Sequence, residues 1–398
     1  MNEFCEKYIF GNKSFFIFGI FFALSLLFYG LIDRVVHIDD AWLGEQVYFL
    51  NQLGYVKSEL WNGLLGYEKE LFVYHKGFIL IGALFTNMFG FSLVSLKSVS
   101  LVFYFLSFFL LLKYSLNQNF SKISILFGSL LYFSNHLLFE YGFIFRPETT
   151  LMFIGFLQFI CLKNFLDTDR WKWLILGSII AGVGVFIHLN GLIFLPAGFI
   201  LLLYSRKFKQ IFVFTLLSVT CALSYFYNIS SYEELMVFKS QFFSDPALVQ
   251  TNQSILGRFS NILNEHQRWF SHHHNISFSL LLFYSLYVSF RRFQNRNELI
   301  FLGVAIFTLS VISHGQTAKY LIYYMPFLIL ITMRAFDAGK NRNRVTIVLL
   351  FLFLSINLFQ NHRLTKNSLN LNTYNETALE TIPLGSKVAG YMAMFFDN

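Results

Sequence analysis

His37-Ile38-Asp39-Asp40-Ala41-Trp42-Leu43-Gly44-Glu45 follows directly on the first long apolar run of the chain, residues 15–31. Two carboxylates, Asp39 and Asp40, therefore stand side by side where the chain leaves its first predicted membrane helix. Almost everything after residue 76 is apolar and occurs in runs long enough for membrane helices. We therefore expect the later polar clusters to be brought back to this acidic stretch.

The composition is that of a polytopic membrane protein. Of the 398 residues, 56% are hydrophobic and 13% are charged, and the mean hydropathy is +0.55. Soluble domains carry about 25% charged residues. The net charge of +8 comes from small Lys and Arg clusters between apolar runs, so membrane topology explains it better than nucleic-acid binding. The three cysteines have no metal-ligand spacing.

Apolar runs predict an all-α polytopic membrane protein with about eleven transmembrane helices. The candidate spans, several of them short, are residues 15–31, 93–112, 123–140, 149–166, 173–187, 191–204, 211–227, 276–290, 299–313, 321–333 and 345–359. Residues 77–89 form a shorter apolar run that ends near Gly90. We predict that this run is a half-span or interfacial helix in the first outer loop.

Lys and Arg clusters fall in alternate connections, which predicts the orientation in the membrane. The N-terminus and the basic loops are expected to be cytoplasmic. The loops of residues 34–76 and 228–275 are then extracytoplasmic, and so is the active site. Residues 1–360 are predicted to form the transmembrane domain. Residues 361–398 are predicted to be an extracytoplasmic tail that forms a small or truncated cap.

Asp39 and Asp40 allow two interpretations. One of them could N-cap a helix over residues 41–53 that Gly54 ends, because Asp is a preferred cap and Gly a preferred terminator. Alternatively, they form a catalytic carboxylate pair, since adjacent acids at a membrane surface commonly have perturbed pKa values. A cap needs only one carboxylate, which favours catalysis. Asp39 is the preferred general base.

Other polar residues on the predicted outer side are candidates for binding substrate or a lipid phosphate. Arg146 and Glu148 flank Pro147 at the start of an apolar run, where a plain helix start is the alternative interpretation. Arg can contact a phosphate through a bidentate fork, and Lys can do so as a point charge. The remaining candidates are His75, Lys76, Arg258, Arg268, Lys319 and Tyr320. No metal ligands are assigned.

The order of these motifs resembles that of the GT-C glycosyltransferases. Asp39-Asp40-Ala41 after the first span is similar to their acidic signature, and the similarity is greatest to the protein mannosyltransferase, aminoarabinose transferase and RgtA/B/C/D-like branch. Later elements resemble family motifs in the same order over roughly residues 10–335: Tyr74-His75-Lys76-Gly77, Phe89-Gly90-Phe91-Ser92, Arg146-Pro147-Glu148, and Lys319-Tyr320 with Pro326. The chain lacks the prolines usual after His75, and Lys97 stands where Arg is usual.

The resemblance implies an inverting glycosyltransferase with a polyprenyl-phosphate-linked sugar donor. Its acceptor would be a hydroxyl of a glycan, a lipid or a protein, and membrane lipids would surround it. The first acid, Asp39, would act as the base or orient the acceptor. The resemblance leaves open whether a divalent cation, Mg²⁺ or Mn²⁺, takes part.

Three alternative functions remain at this stage. A lipid-linked oligosaccharide flippase or other transporter would favour internal repeats and charges in mid-span, whereas these spans are nearly uncharged. A surface-polysaccharide polymerase would use similar lipid-linked chemistry. A non-catalytic membrane scaffold would leave Asp39, Asp40 and Arg146 without a purpose.

Overall fold

A computed structural model of the chain describes residues 36–244, 255–290, 296–313, 315–338 and 343–366, together with Glu376 and Glu380. Within these residues the secondary structure is entirely helical. The predicted first span, residues 15–31, lies outside the described residues. Most of the predicted tail, from residue 367 onwards, does so as well.

The helices follow the apolar runs of the sequence. In the first half they are α1 Ile38–Leu53, α2 Lys76–Phe89, α3 Leu93–Asn117, α4 Lys122–Ser134, α5 His136–Tyr141, α6 Glu148–Thr168, α7 Trp171–Ile187, α8 Phe194–Tyr204 and α9 Phe208–Leu223. In the second half they are α10 Tyr232–Ser244, α11 Ile255–Asn264, α12 His266–Phe270, α13 His273–Phe290, α14 Arg296–Ile312, α15 Met325–Ala338 and α16 Asn343–Lys366. Short 3₁₀ turns at Leu189–Ile193, Ser224–Phe226 and Ala318–Tyr324 lead into or out of longer helices.

Five helical segments of the described residues are long and apolar enough to cross a membrane. They are Leu93–Asn117, Glu148–Thr168, Phe208–Phe226, Ala318–Asp337 and Arg344–Lys366. Further apolar helices are shorter, and α2 is among them, with Gly90 at its end in a positive-φ conformation (φ 85°). The chain is thus an all-α integral membrane protein, and the number of about eleven spans stays a prediction. Helix α16 continues beyond residue 360, the predicted end of the transmembrane domain.

Aromatic rings from several helices form the centre of the core. Phe159 of α6 lies 5.4 Å from Phe301 of α14 and 5.2 Å from Phe327 of α15, measured between ring centroids. Helices α7 and α9 pack closely, and a Cβ on Gly182 would lie 2.4 Å from the carbonyl oxygen of Ser218. Small residues allow such close backbone approach between membrane helices.

Helix packing sorts the connecting loops into the two sets that the charge pattern predicts. Side chains from predicted cytoplasmic loops contact one another in the pairs Lys207–Asp169 and Arg334–Glu298. Side chains from predicted outer loops do the same in the pair Asp39–Arg146, and Asn190 of another predicted outer loop contacts Tyr323, near the outer end of the span predicted at residues 321–333. The candidate site is therefore built from one set of loops, and which set faces the cytoplasm remains a prediction.

We expect Gln118→Cys to be protected, and Ser231→Cys to be labelled, by a membrane-impermeant maleimide on intact cells. Both positions are exposed, and they belong to the predicted cytoplasmic and outer loop sets, respectively. The background should be a chain with Cys5, Cys161 and Cys221 replaced, which supplies the unlabelled control. Labelling of Gln118→Cys before permeabilisation would reverse the orientation.

Candidate active site

Helix α1 presents the acidic pair, and His37 is its N-cap. The Asp39 N–H lies 3.2 Å from Nδ1 of His37, and the His37 N–H donates to Oδ2 of Asp40 over 2.9 Å. These contacts form a capping box with Asp40 at the third helical position. The expectation that an aspartate caps a helix starting at residue 41 was thus wrong, because His37 takes that place three residues earlier. Gly54 ends the helix in a left-handed conformation as predicted (φ 77°).

Asp40 is completely buried and ties three segments together. Its Oδ1 accepts a hydrogen bond of 2.6 Å from the Phe145 N–H, and its Oδ2 lies 3.7 Å from Nζ of Lys97 on α3. Burial raises the pKa of Asp40, and the Lys97 cation opposes that rise. The carboxylate faces the protein interior, so Asp40 holds the segments around the site together and is not exposed to substrate.

We expect Asp40→Asn to lower the stability of the protein more than the turnover of the molecules that remain folded. An amide offers one acceptor oxygen, so one of the two backbone N–H groups loses its partner at a cost of about 1–3 kcal/mol. The measurement is the thermal unfolding of the detergent-solubilised protein, compared with Glu233→Gln, the same acid-to-amide change at an exposed position, as a surface control. An unchanged unfolding temperature would contradict the structural role.

Arg146 joins Asp39 to Glu148 in one ion network. Its Nη2 and Nε donate to the two carboxylate oxygens of Glu148 over 2.7 and 3.0 Å. Its Nη1 donates to Oδ2 of Asp39. Glu148 is almost fully buried, whereas the side chains of Arg146 and Asp39 are 13% and 19% exposed. The network therefore has a closed end at Glu148 and an accessible end at Asp39.

The electrostatic field of the network favours an ionised Asp39. Burial opposes the charge of Asp39, but the neighbouring His37 and the cation of Arg146 outweigh burial. The pKa of Asp39 therefore lies well below its usual range. Asp39 is charged at any physiological pH, and Arg146 neutralises it as long as the site is empty.

The backbone around Arg146 is held as firmly as its side chain. The Arg146 N–H donates to Oγ of Ser100, and that hydroxyl lies 3.0 Å from the Arg146 carbonyl oxygen as well. Pro147 occupies the N-cap of α6, so the predicted helix start is also correct. Arg146 and Glu148 thus begin a helix and at the same time complete the network with Asp39.

Lys76 lies at the start of α2 inside a cage of tyrosines. Its Nζ is 5.4, 4.8 and 5.3 Å from the ring centroids of Tyr74, Tyr225 and Tyr227. The amine donates to Oδ1 of Asn228, and the residue is fully buried. The amine that the sequence predicts as a phosphate ligand is thus buried among three aromatic rings and bonded to Asn228.

Arg268 serves the protein interior. It is fully buried, and its guanidinium donates to Oε1 of Glu265 over 2.8 Å, to the Thr317 carbonyl over 3.2 Å and to Oγ of Ser313 over 3.2 Å. The predicted contact with a donor phosphate would require these bonds to break. Arg268 therefore fixes the positions of Ser313 and Thr317, which shortly precede Lys319, through its hydrogen bonds to them. The side chain of Arg258, on α11, lies outside the described part of the structure.

Lys319 and Tyr320 line the site from the opposite side. Lys319 is close enough to the network to contribute to the lowered pKa of Asp39. The ring of Tyr320 stacks on that of Tyr323 with 5.5 Å between centroids, and Nζ of Lys319 lies 5.5 Å from the Tyr320 centroid. Among the predicted phosphate ligands, Arg146 and Lys319 are therefore the two cations next to Asp39.

His75 stacks on His188, which lies between α7 and the 3₁₀ turn Leu189–Ile193. Their ring centroids are 4.1 Å apart and their planes are inclined by 24°. Burial, followed by the cations of Arg146 and Lys319, lowers the pKa of His188 to about 3. Burial and the neighbouring His188 likewise hold the pKa of His75 well below its usual value. Both imidazoles are therefore uncharged at neutral pH.

Several supporting residues of the site carry little signal in the sequence. Asn228, Ser100 and Tyr323 contact Lys76, Arg146 and Asn190, respectively, from distant parts of the chain. Their position on the predicted outer side is the only hint. In the ranges described above, no group of three or more His, Cys, Asp or Glu side chains converges as metal ligands.

Two comparisons identify the architecture. The sequence profile of the dolichyl-phosphate-mannose-protein mannosyltransferase family matches residues 77–231, which is less than half of the chain. ArnT from Cupriavidus metallidurans in the apo state superposes with a TM-score of 0.60 at 14% identity, over 83% of this chain and 61% of ArnT. This chain has the GT-C glycosyltransferase fold.

Other GT-C structures give the same result. ArnT from Cupriavidus metallidurans bound to undecaprenyl phosphate has a TM-score of 0.61 at 14% identity, over 83% of this chain and 61% of that chain. The arabinosyltransferase EmbB from Mycobacterium smegmatis has a TM-score of 0.54 at 13% identity, over 90% of this chain and 38% of EmbB. No curated protein matches the sequence. The chain spans 61% of the length of ArnT, so the comparison concerns the fold.

Proposed function

We propose that this protein is an inverting GT-C glycosyltransferase that moves a sugar from a polyprenyl-phosphate donor to an acceptor hydroxyl on the extracytoplasmic side of the membrane. The network of Asp39, Arg146 and Glu148 is the observation that carries this proposal. It combines a carboxylate that can receive a proton with a cation that can receive a phosphate. The ArnT structure with undecaprenyl phosphate supports the class of donor.

Arg146 has separate surfaces for its two tasks. Glu148 holds Nε and Nη2, so the buried side of the guanidinium is already satisfied. Nη1 faces the partly exposed Asp39 and is the donor that an incoming phosphate can take. A phosphate at Nη1 would partly neutralise the cation beside Asp39. The proton affinity of Asp39 would then rise when the donor is bound.

The reaction follows from this arrangement. Asp39 accepts the proton of the acceptor hydroxyl, and the acceptor oxygen forms a bond to the anomeric carbon. The bond between that carbon and the phosphate oxygen breaks on the opposite face, and the configuration is inverted. Arg146 and Lys319 stabilise the charge that develops on the leaving polyprenyl phosphate. The products are the glycosylated acceptor, polyprenyl phosphate and a proton held by Asp39.

A direct test is to reconstitute the purified full-length protein in liposomes and to incubate it with radiolabelled polyprenyl-phosphate sugars and cell-envelope acceptors. We expect label to move from the lipid donor to an acceptor in the presence of the wild-type protein. Transfer should be lost in Asp39→Asn. The glycosyltransferase proposal fails if none of these lipid-linked sugars is consumed. It also fails if label crosses the membrane while still attached to its lipid, a result that would favour a flippase.

A further inference from the structure

The stacked rings of His75 and His188 form a second feature next to the ion network. His75 is the last residue before α2, and His188 lies between α7 and the 3₁₀ turn Leu189–Ile193. The two imidazoles are half-buried and face each other at 4.1 Å between centroids. Neither ring is used in the mechanism proposed above.

The backbone is adapted to bring these two rings together. A Cβ on Gly77, two residues after His75, would lie 2.8 Å from Cδ1 of Phe186 and 3.1 Å from Cα of Ile187. The first distance is shorter than real Cβ contacts and the second is tighter than most of them, so the packing of α2 against the end of α7 favours a glycine here. Close packing at Gly77 thus sets the position of His75 over His188.

The hydrogen bonds of His188 determine its tautomer. Nδ1 accepts a hydrogen bond of 2.8 Å from the Asn190 N–H, so the ring proton of the neutral imidazole resides on Nε2. Asn190 is held in turn, because its Nδ2 donates to the Tyr323 hydroxyl over 3.0 Å. Within the described residues, Nε2–H of His188 has no hydrogen-bond partner, and the ring is partly accessible. The neutral ring therefore carries a fixed donor at Nε2.

The charge state of the pair indicates the kind of group that it can bind. Both imidazoles are uncharged at neutral pH, because burial and nearby cations disfavour their protonation. A phosphate is matched better by Arg146 and Lys319, which already lie beside the pair. A hydroxyl group, in contrast, is matched well by one neutral donor and a flat ring surface. The sequence predicted that His75 binds substrate or a lipid phosphate, and of these two roles a contact with an uncharged substrate group suits the pair better.

We infer that His75 and His188 bind the transferred sugar, with Nε2–H of His188 donating to one of its hydroxyl groups. The inference rests on the proposed function, since it requires a sugar linked to the phosphate that Arg146 holds. The pair adjoins that cation, so the first sugar ring after the phosphate is the group within reach. The ring of His75 stacks on that of His188 and thereby holds His188 in the position from which it contacts the sugar.

Two substitutions of His188 separate the role in sugar binding from a structural role. His188→Asn keeps an acceptor for the Asn190 N–H but removes the Nε2–H donor. His188→Gln carries an amide donor near the original Nε2 position. His362→Asn on α16, where the side chain is exposed, is the matched control. The probes are undecaprenyl phosphate and undecaprenyl-phosphate-linked mannose and arabinose, titrated against the purified full-length protein.

We expect the wild-type protein to bind at least one sugar-linked probe more tightly than undecaprenyl phosphate. In His188→Asn this preference should fall about tenfold, as for the loss of one hydrogen bond of roughly 1.4 kcal/mol, while binding of undecaprenyl phosphate changes less than twofold. His188→Gln should recover part of the preference. His362→Asn should behave like the wild type.

The outcomes distinguish this inference from the proposed function. If the wild-type protein binds none of the probes, the proposed function fails. If it binds undecaprenyl phosphate but His188→Asn binds every probe as the wild type does, only the sugar contact is overturned. An equal loss for the bare and the sugar-linked phosphates, or a higher KM for acceptor alone, would also overturn it.

Discussion

Asp39→Asn should lower sugar transfer by about 10²–10⁴-fold, the usual contribution of a general base. The substitution keeps the shape of the side chain, and its amide oxygen can still accept the hydrogen bond from Nη1 of Arg146. Asp39 is not the helix cap, and its side chain is partly exposed, so the protein should fold normally. The measurement is the rate of label transfer from the lipid donor at saturating donor concentration.

Two controls make the result specific to Asp39. Glu233→Gln removes an exposed acid on α10 and should transfer sugar at the wild-type rate. Asp40→Asn should reduce turnover less than Asp39→Asn, because the Asp40 carboxylate faces the interior. If Asp39→Asn retained the wild-type rate with normal expression, the base would have to be sought at Glu148 or Asp40.

Replacement of Arg146 is expected to have the second-largest effect, a fall in transfer of about 10²–10³-fold. The loss should affect the chemical step as well as donor binding, since the cation stabilises charge on the leaving phosphate. Arg146→Lys should recover only part of the activity. A lysine amine cannot make two bonds to Glu148 and also reach both Asp39 and a phosphate.

Arg146→Ala alone is a poor test, because it leaves Glu148 as a buried charge without its cation. Breaking one side of a buried ion pair costs about 3–5 kcal/mol, so reduced folding could imitate reduced activity. The double substitution Arg146→Gln with Glu148→Gln removes both charges and keeps the net charge unchanged. Binding of undecaprenyl phosphate should weaken in this variant although its unfolding temperature stays close to that of the wild type. Unchanged binding would contradict a phosphate contact.

Local features of the sequence were sufficient to predict much of the fold. In the described residues, apolar runs located the starts of the helices that they predicted to within a few residues, whereas α10, α11 and α12 lie outside those runs. Gly54 and Gly90 marked the ends of α1 and α2. These predictions succeeded because helix formation and membrane insertion depend on neighbouring residues and on the composition of a short window. The alternation of basic loops also separated the loops that meet at the candidate site from those at the opposite end.

The exact partners of the polar residues could not be predicted in this way. Arg146 and Glu148 were identified as candidates, but their shared network with Asp39 depends on how α6 packs next to α1. The residue type alone does not distinguish Asp40 and Arg268, which are buried, from an Asp or an Arg that is exposed and binds a ligand. Only packing directs Asp40 to the backbone of Phe145, and Arg268 to the segment before Lys319.

The sequence alone therefore determined that the chain is a helical membrane protein, and it predicted that most of its acids and several of its cations lie at one end. Tertiary structure alone decided which of these charges is accessible, which is neutralised, and that His75 meets His188. The physical reason is the range of the interactions. The hydropathy of a segment depends only on residues that are neighbours in the sequence. Ion pairs, buried hydrogen bonds and ring stacks join residues far apart in the sequence, and they exist only after the helices have packed.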